Sequence, residues 1–260
     1  MKFDAFIGPT YTPSAYSVEC QVTKNWYTER VESGRGKSSY AMLRAPGRRI
    51  FCNPVPSTGI GAVRGMWSLN SRLYAIVGSR VIEIFSDGTF NMFAGAIVDD
   101  GRPVKMDGNP TQLFIVSGGL GYILAGTLTQ ITAAGFPARA NGAAFLDGYF
   151  VTARANSQQF QISALNDGLS WDSADVSSAE DKPDFIRAIG MLNQEFWPFG
   201  DRTTQVFSDT GDLDFPLEPR LDISIEMGIW AIDSLAKAGV SWYFIAGDES
   251  GQNMIMRMNG

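Results

Sequence analysis

Short apolar runs, each closed by Gly, Asn, Asp or Ser, recur along most of the chain, and few stretches carry the period of a helix. The runs come in pairs. Leu73–Gly78 precedes Val81–Phe85 and a Ser86-Asp87-Gly88 turn; Leu113–Val116 precedes Tyr122–Ala125; Tyr149–Thr152 precedes Gln159–Ser163. Glu195–Gly200 then precedes Thr204–Phe207, and Trp242–Gly247 precedes Met254–Met258. Aligning one aromatic in each first run gives Tyr74, Phe114, Phe150, Phe196 and Tyr243, at steps of 40, 36, 46 and 47 residues. Propeller blades of four strands recur at about 40–50 residues, because one small sheet cannot cover both of its faces and must stack on the next. The pattern therefore predicts an all-β, β-propeller-like array of antiparallel blades over residues 61–260. An evenly spaced meander in a β-sandwich is the alternative, and the recurrence of aromatic and glycine detail with the spacing favours the blades.

Residues 1–60 read differently, with Gly8-Pro9, Pro13, Gly34, Gly36, Pro46-Gly47, Pro54 and Pro56 between short strand-like pieces. They are expected to form an N-terminal arm that partly completes the array. The last strand runs to Met258-Asn259-Gly260, so either residues 1–60 close the propeller or the chain is the front of a longer polypeptide. Pro198 falls inside a run and lacks a ladder donor, which predicts an edge position or a bulge there.

Composition narrows the function. At 45% hydrophobic and 18% charged, 260 residues suffice for a sizeable core without metals or disulfides. Cys20 and Cys52 are too few for a disulfide scaffold and are expected to be free, mostly buried thiols. No secretory pattern opens the chain, and the longest apolar stretch, Leu113–Leu128, is too glycine-rich to span a bilayer. The expectation is a protein made in a cytoplasm and soluble until it assembles. A net charge of −6 argues against sequence-reading DNA binding, which needs a basic face. The one basic cluster, Arg44, Arg48 and Arg49, reads as a solvated turn.

The chain has no histidine, which removes Ser–His and Cys–His triads and most transition-metal sites. Gly34-Arg35-Gly36-Lys37-Ser38 fails as a phosphate-binding loop, since Val31 stands where its first glycine belongs. Gly59-x-Gly61 with Gly65 lacks a preceding strand and reads as flexible turns. Carboxylates remain: Asp99-Asp100, Asp172 with Asp175, Glu180-Asp181 with Asp184, and Asp209 with Asp212 and Asp214, all in predicted loops where solvated charge is the default. Asn166-Asp167-Gly168-Leu169-Ser170-Trp171 resembles the Asp-box turn of sialidase propellers, with Asn166 in place of its aspartate and Ala164 in place of its Ser or Thr. Such boxes are structural. No residue is assigned a catalytic, cofactor-binding or metal-ligating role.

Several segments together resemble the packaged-DNA stabilisation proteins, or tail accessory (tail-hub, nozzle) proteins, of short-tailed bacteriophages. They are Asn25-x-Tyr27-x-Glu29 with Leu43-Arg44-x-Pro46-Gly47, and Phe160-x-Ile162-Ser163-x-Leu165-Asn166-Asp167-Gly168-x-Ser170-Trp171 running to Ser178-Ala179-Glu180 and Pro183-Asp184-Phe185-Ile186. Phe196–Gly200, Thr204–Phe207, Asp209–Gly211, Ile225–Ile229 and Trp242–Ala246 continue the likeness. Family members usually run on past the point where this sequence ends.

The resemblance implies a non-enzymatic virion protein of the tail, assembled in the host cytoplasm. It implies a homo-oligomer, a hexameric ring, beneath the portal and its adaptor ring, with tail fibre, spike or needle proteins as neighbours. Such a ring prolongs the DNA channel, retains the packaged genome and permits ejection. DNA passes without sequence-specific contact, and no membrane or cofactor is involved. Acidic composition agrees, because dense Lys/Arg would hold a sliding backbone. The competing reading is a carbohydrate-binding or glycoside-cleaving tail module, motivated by the acidic loops and by Trp26, Trp171 and Trp230 as sugar platforms.

Overall fold

The computed structural model describes residues 25–30, 40–54, 61–180, 182–212, 215–223, 225–247 and 253–259. Cys20, the Gly34–Ser38 segment, Pro56, Gly59, Asp181 and Asp214 lie outside the described residues. The chain divides into two units, Met1–Phe51 and Cys52–Gly260. In the first, β1 (Trp26–Arg30) and β2 (Tyr40–Arg44) pair antiparallel, Trp26 opposite Arg44 and Glu29 opposite Ala41. Arg44, Arg48 and Arg49 are all exposed there.

Among the described residues, the second unit holds five four-stranded antiparallel sheets. The first holds β3 (Val63–Leu69), β4 (Arg72–Val77), β5 (Arg80–Ile84) and β6 (Phe90–Met92). The second holds β7 (Lys105–Gly108), β8 (Leu113–Ser117), β9 (Leu120–Ala125) and β10 (Thr127–Gln130). The third holds β11 (Ala140–Leu146), β12 (Tyr149–Arg154), β13 (Gln159–Ile162) and β14 (Val176–Ser178). The fourth holds β15 (Ala188–Leu192), β16 (Glu195–Phe199), β17 (Phe207–Asp209) and β18 (Leu217–Pro219).

The fifth holds β19 (Gly228–Ile229), β20 (Ala236–Ala238), β21 (Ser241–Gly247) and β22 (Asn253–Asn259). Its leading strand is split. Both β19 and β20 pair with β21, at Gly228↔Gly247 and Ala238↔Ser241, and a 3-10 turn at Ile232–Ser234 bulges out between them.

Alternation along each second strand explains the stacking. On β8, Leu113 and Ile115 pack with Tyr74, Ile76 and Val81 of the first sheet, while Phe114 and Val116 pack with Phe150 of the third. Both faces are buried, so the strand reads as one unbroken apolar run. The same logic places Phe160, Phe196 and Phe207 between the third and fourth sheets, with ring centroids 4.7–6.0 Å apart. Trp197, Phe199, Trp242 and Phe244 fill the layer between the fourth and fifth. Two-residue hairpins join β3 to β4, β11 to β12 and β15 to β16. Asn70 and Ser71 have φ of 50° and 61°, and Asn193 and Gln194 have 51° and 61°, the left-handed pair that a two-residue turn requires.

Three expectations change. Pro198 sits on β16, an inner strand paired with Ile189, not at an edge. Its carbonyl accepts from Gln205 N, so the missing donor also faces β17, where the ladder stops at Phe196↔Phe207. The strand expected at Thr204–Phe207 begins at Phe207, and Thr204 instead bridges Phe199 and Ile225. Gly65 is no flexible turn. It lies in β3, where a Cβ would meet Val104 Cγ2 at 2.6 Å, so the glycine lets the first sheet approach the second.

Candidate functional site

The first strands of the sheets are neighbours in the order β3, β7, β11, β15, and each is the inner edge of its sheet. An inner edge leaves one row of backbone groups without a strand partner, and those groups need another. Side chains supply it from sheet to sheet. Asp107 on β7 accepts from Phe145 N on β11 at 2.8 Å, and its other oxygen accepts from Gly108 N at 2.8 Å. Asn141 on β11 donates to Arg187 O at 2.9 Å, and Lys237 on β20 donates to Met191 O at 3.0 Å. Arg64 on β3 donates to Ser117 Oγ at 2.7 Å, and also to the carbonyls of Gly78, Val98 and Arg102.

These strands enclose an axial cavity of about 650 Å³ whose lining includes Met66, Trp67, Asp107, Phe145, Lys237 and Trp242. The 3-10 turn of the fifth sheet reaches across it, and Asp233 pairs with Lys105 at 2.6 Å. A second cavity of about 480 Å³, lined by Asp100, Arg102, Lys105, Arg139, Arg187 and Asp233 among others, shares Lys105, Asn141, Gly142 and Ile232 with the first. It opens at the end where β7, β11 and β15 begin. Asp107 is half-buried and opens onto the first cavity. Burial lifts its carboxyl to about 6, against the lowering pull of the Gly108 and Phe145 amides and of Lys237.

The sequence-derived carboxylates are mostly occupied in holding backbone. Asp100 pairs with Arg64 and accepts from Arg102 N; Asp99 accepts from Gly101 N and lies 3.4 Å from Arg64. Asp184 accepts from the amides of Asp201, Arg202 and Thr203 and from Thr203 Oγ1, clamping the turn after β16. Asp172 accepts from Ala174 N, Asp209 from Gly211 N, and Glu180 from Ser178 Oγ. The Asp175 carboxyl is raised by burial and then by Asp172 beside it. Among the described residues no group of three or more His, Cys, Asp or Glu is placed to hold a metal ion. No helix among them is long and apolar enough to cross a membrane. Cys52 is a free, half-buried thiol.

The three tryptophans separate. Trp171 is core: its Nε1 donates to Gly168 O at 2.8 Å and its ring packs edge-on to Phe136 at 5.0 Å. It closes the Asn166–Trp171 turn, in which Asp167 caps Leu169 N and Gly168 N donates to Gln112 Oε1 of the second sheet. Trp26 and Trp230 are 49% and 57% exposed. The axial groups Asp107, Lys105, Asp233 and Lys237 were not singled out by sequence. For Lys105 and Asp107 the signal was charge inside a short strand, visible only once Lys105–Gly108 is recognised as one; Asp233 lies in the 3-10 turn and Lys237 in β20.

Five four-stranded sheets whose leading strands surround one axial cavity define a β-propeller. The chain belongs to the phage family described as "Bacteriophage P22 Gp10, beta-propeller", which matches residues 33–260. No curated protein matches. Among solved structures, a catalytically inactive virginiamycin B lyase from Staphylococcus aureus with quinupristin is similar at 10% identity and a TM-score of 0.52, over 78% of this chain and 72% of that one. The Pan2 WD40 domain from Neurospora crassa is similar at 10% identity and a TM-score of 0.52, over 78% of this chain and 63% of that one. At such identities the likeness is one of fold alone.

Proposed function

We propose that this protein is a non-enzymatic structural subunit of a phage tail, a hub or nozzle that prolongs the portal–adaptor channel, retains packaged DNA and permits its ejection. Family membership over residues 33–260 is the observation that carries this reading. Use of Asp100, Asp184 and Asp209 as backbone caps supports it, since carboxylates spent in this way are poorly placed to act as acid or base. In this proposal the subunits form a hexameric ring in the virion, contacting the portal's adaptor ring and tail fibre, spike or needle proteins. An N-terminal arm (residues 1–60) leads into the propeller (61–260).

The test is the mass of the purified chain in solution with and without a portal–adaptor complex, followed by electron-microscope class averages. Rings, or attachment only to an adaptor-bearing portal, are expected. A persistent monomer that ignores the portal would overturn the proposal and bring forward the carbohydrate-binding alternative.

A further inference from the structure

The second cavity departs from the character of the whole chain. On a protein of net charge −6, its lining carries four cationic side chains, Arg102, Lys105, Arg139 and Arg187, against two acidic ones, Asp100 and Asp233. Four of the six are committed to one another or to a neighbour. Lys105 pairs with Asp233 at 2.6 Å, and Asp100 with the buried Arg64. Arg187 pairs with Asp201. Among the described residues, the guanidinium groups of Arg102 and Arg139 have neither a hydrogen bond nor an ion pair. Both are exposed, and they arrive from different sheets, just before β7 and just before β11.

Two guanidiniums without a partner line one concave space, and an oxyanion bound there by both neutralises their charge. Phosphate suits the arrangement, because each planar fork can donate two parallel N–H···O bonds to it. The acids nearby do not compete, since each already has its cation. From this geometry we infer that the mouth of the axial cavity is a phosphate-binding site held by Arg102 and Arg139, with Arg187 as a partly screened third cation. The inference stands on the cavity and its unpaired arginines, and is independent of the virion assignment.

The experiment is isothermal titration of the full chain with inorganic pyrophosphate at low ionic strength, comparing the wild type with the double variant Arg102→Gln, Arg139→Gln. Arg257→Gln, whose guanidinium lies over the Tyr243 ring of the fifth sheet, serves as the control. Saturable binding is expected in the wild type and the control, weakened about tenfold or more in the double variant, as loss of two charge-assisted contacts requires. A thermal melt of the double variant without ligand checks that it folds, and the single variant Arg139→Gln should fall between the two. A short single-stranded oligonucleotide that displaces pyrophosphate would identify polymer phosphodiester as the source, and failure to displace would identify free phosphate. Equal affinity in wild type and folded double variant, or no saturable binding to the wild type, would overturn the inference. Neither result bears on whether the chain forms rings on a portal.

Discussion

Replacing Asp107 by Asn should remove one pH-dependent contribution to the stability of the protein. The folded carboxyl keeps its proton up to about pH 6, while the unfolded chain releases it near 3.8. A raised pKa means that the folded state binds the proton more tightly. The stability due to Asp107 is therefore full below 3.8 and is lost as pH rises through about 6. The gap between 3.8 and about 6 corresponds to about 3 kcal/mol, an upper bound because cavity water relieves part of the burial. Asn has the same shape and no charge, but only one of its two terminal atoms can accept from the Gly108 and Phe145 amides. That mismatch costs about 1 kcal/mol at every pH.

Urea unfolding of both proteins from about pH 4 to about pH 8 isolates the effect, since all other titrations cancel in the difference. The variant should gain relative to the wild type across this range, by up to about 3 kcal/mol. Lys237→Gln in the wild type should move the midpoint of that pH dependence upward. A difference that stays constant with pH, or that shrinks toward neutrality, would refute the desolvation of Asp107 at the axial cavity.

Asp184→Ala removes the acceptor for three successive amides after β16 and should destabilise the protein by about 2–4 kcal/mol, read by urea unfolding, with no change in any glycan-cleavage assay. Phe160→Ala empties a fully buried position among Phe196, Phe207 and Phe215 and should cost about 3–5 kcal/mol by the same measurement. Gly190→Ala would put a Cβ 2.4 Å from the Trp242 ring. It should lower the melting temperature and cost about 1–3 kcal/mol, whereas Gly211→Ala, with no neighbour within 4 Å, is limited to the strain of its φ of +70°.

The second and third strands of the first three sheets were legible in the sequence for one physical reason. Strands such as β8 and β12 are covered on both faces by adjoining sheets, so natural selection of buried side chains leaves a continuous apolar run, with Leu113–Val116 the clearest case. The turns were legible too, because Asn and Gly mark the left-handed backbone of two-residue hairpins. Exclusions also came from sequence: the absence of histidine removes whole reaction classes whatever the fold.

The leading strands were not legible. Lys105–Gly108 is a four-residue inner edge that lines a cavity and mixes charge with apolar side chains, and Gly228–Ile229 is a two-residue piece of a split strand, so no period survives in either. Only stacking around an axis brings Lys105 to Asp233, 128 residues away, or aims Asp107 at the Phe145 amide. The same stacking brings Arg102 and Arg139 to one cavity, while each alone reads as an ordinary surface arginine. Local sequence determines which segments pair and turn, because those contacts lie within a few residues. The charge pattern of the axis is decided by which edges the stacking of sheets turns inward, and that is a property of the tertiary structure.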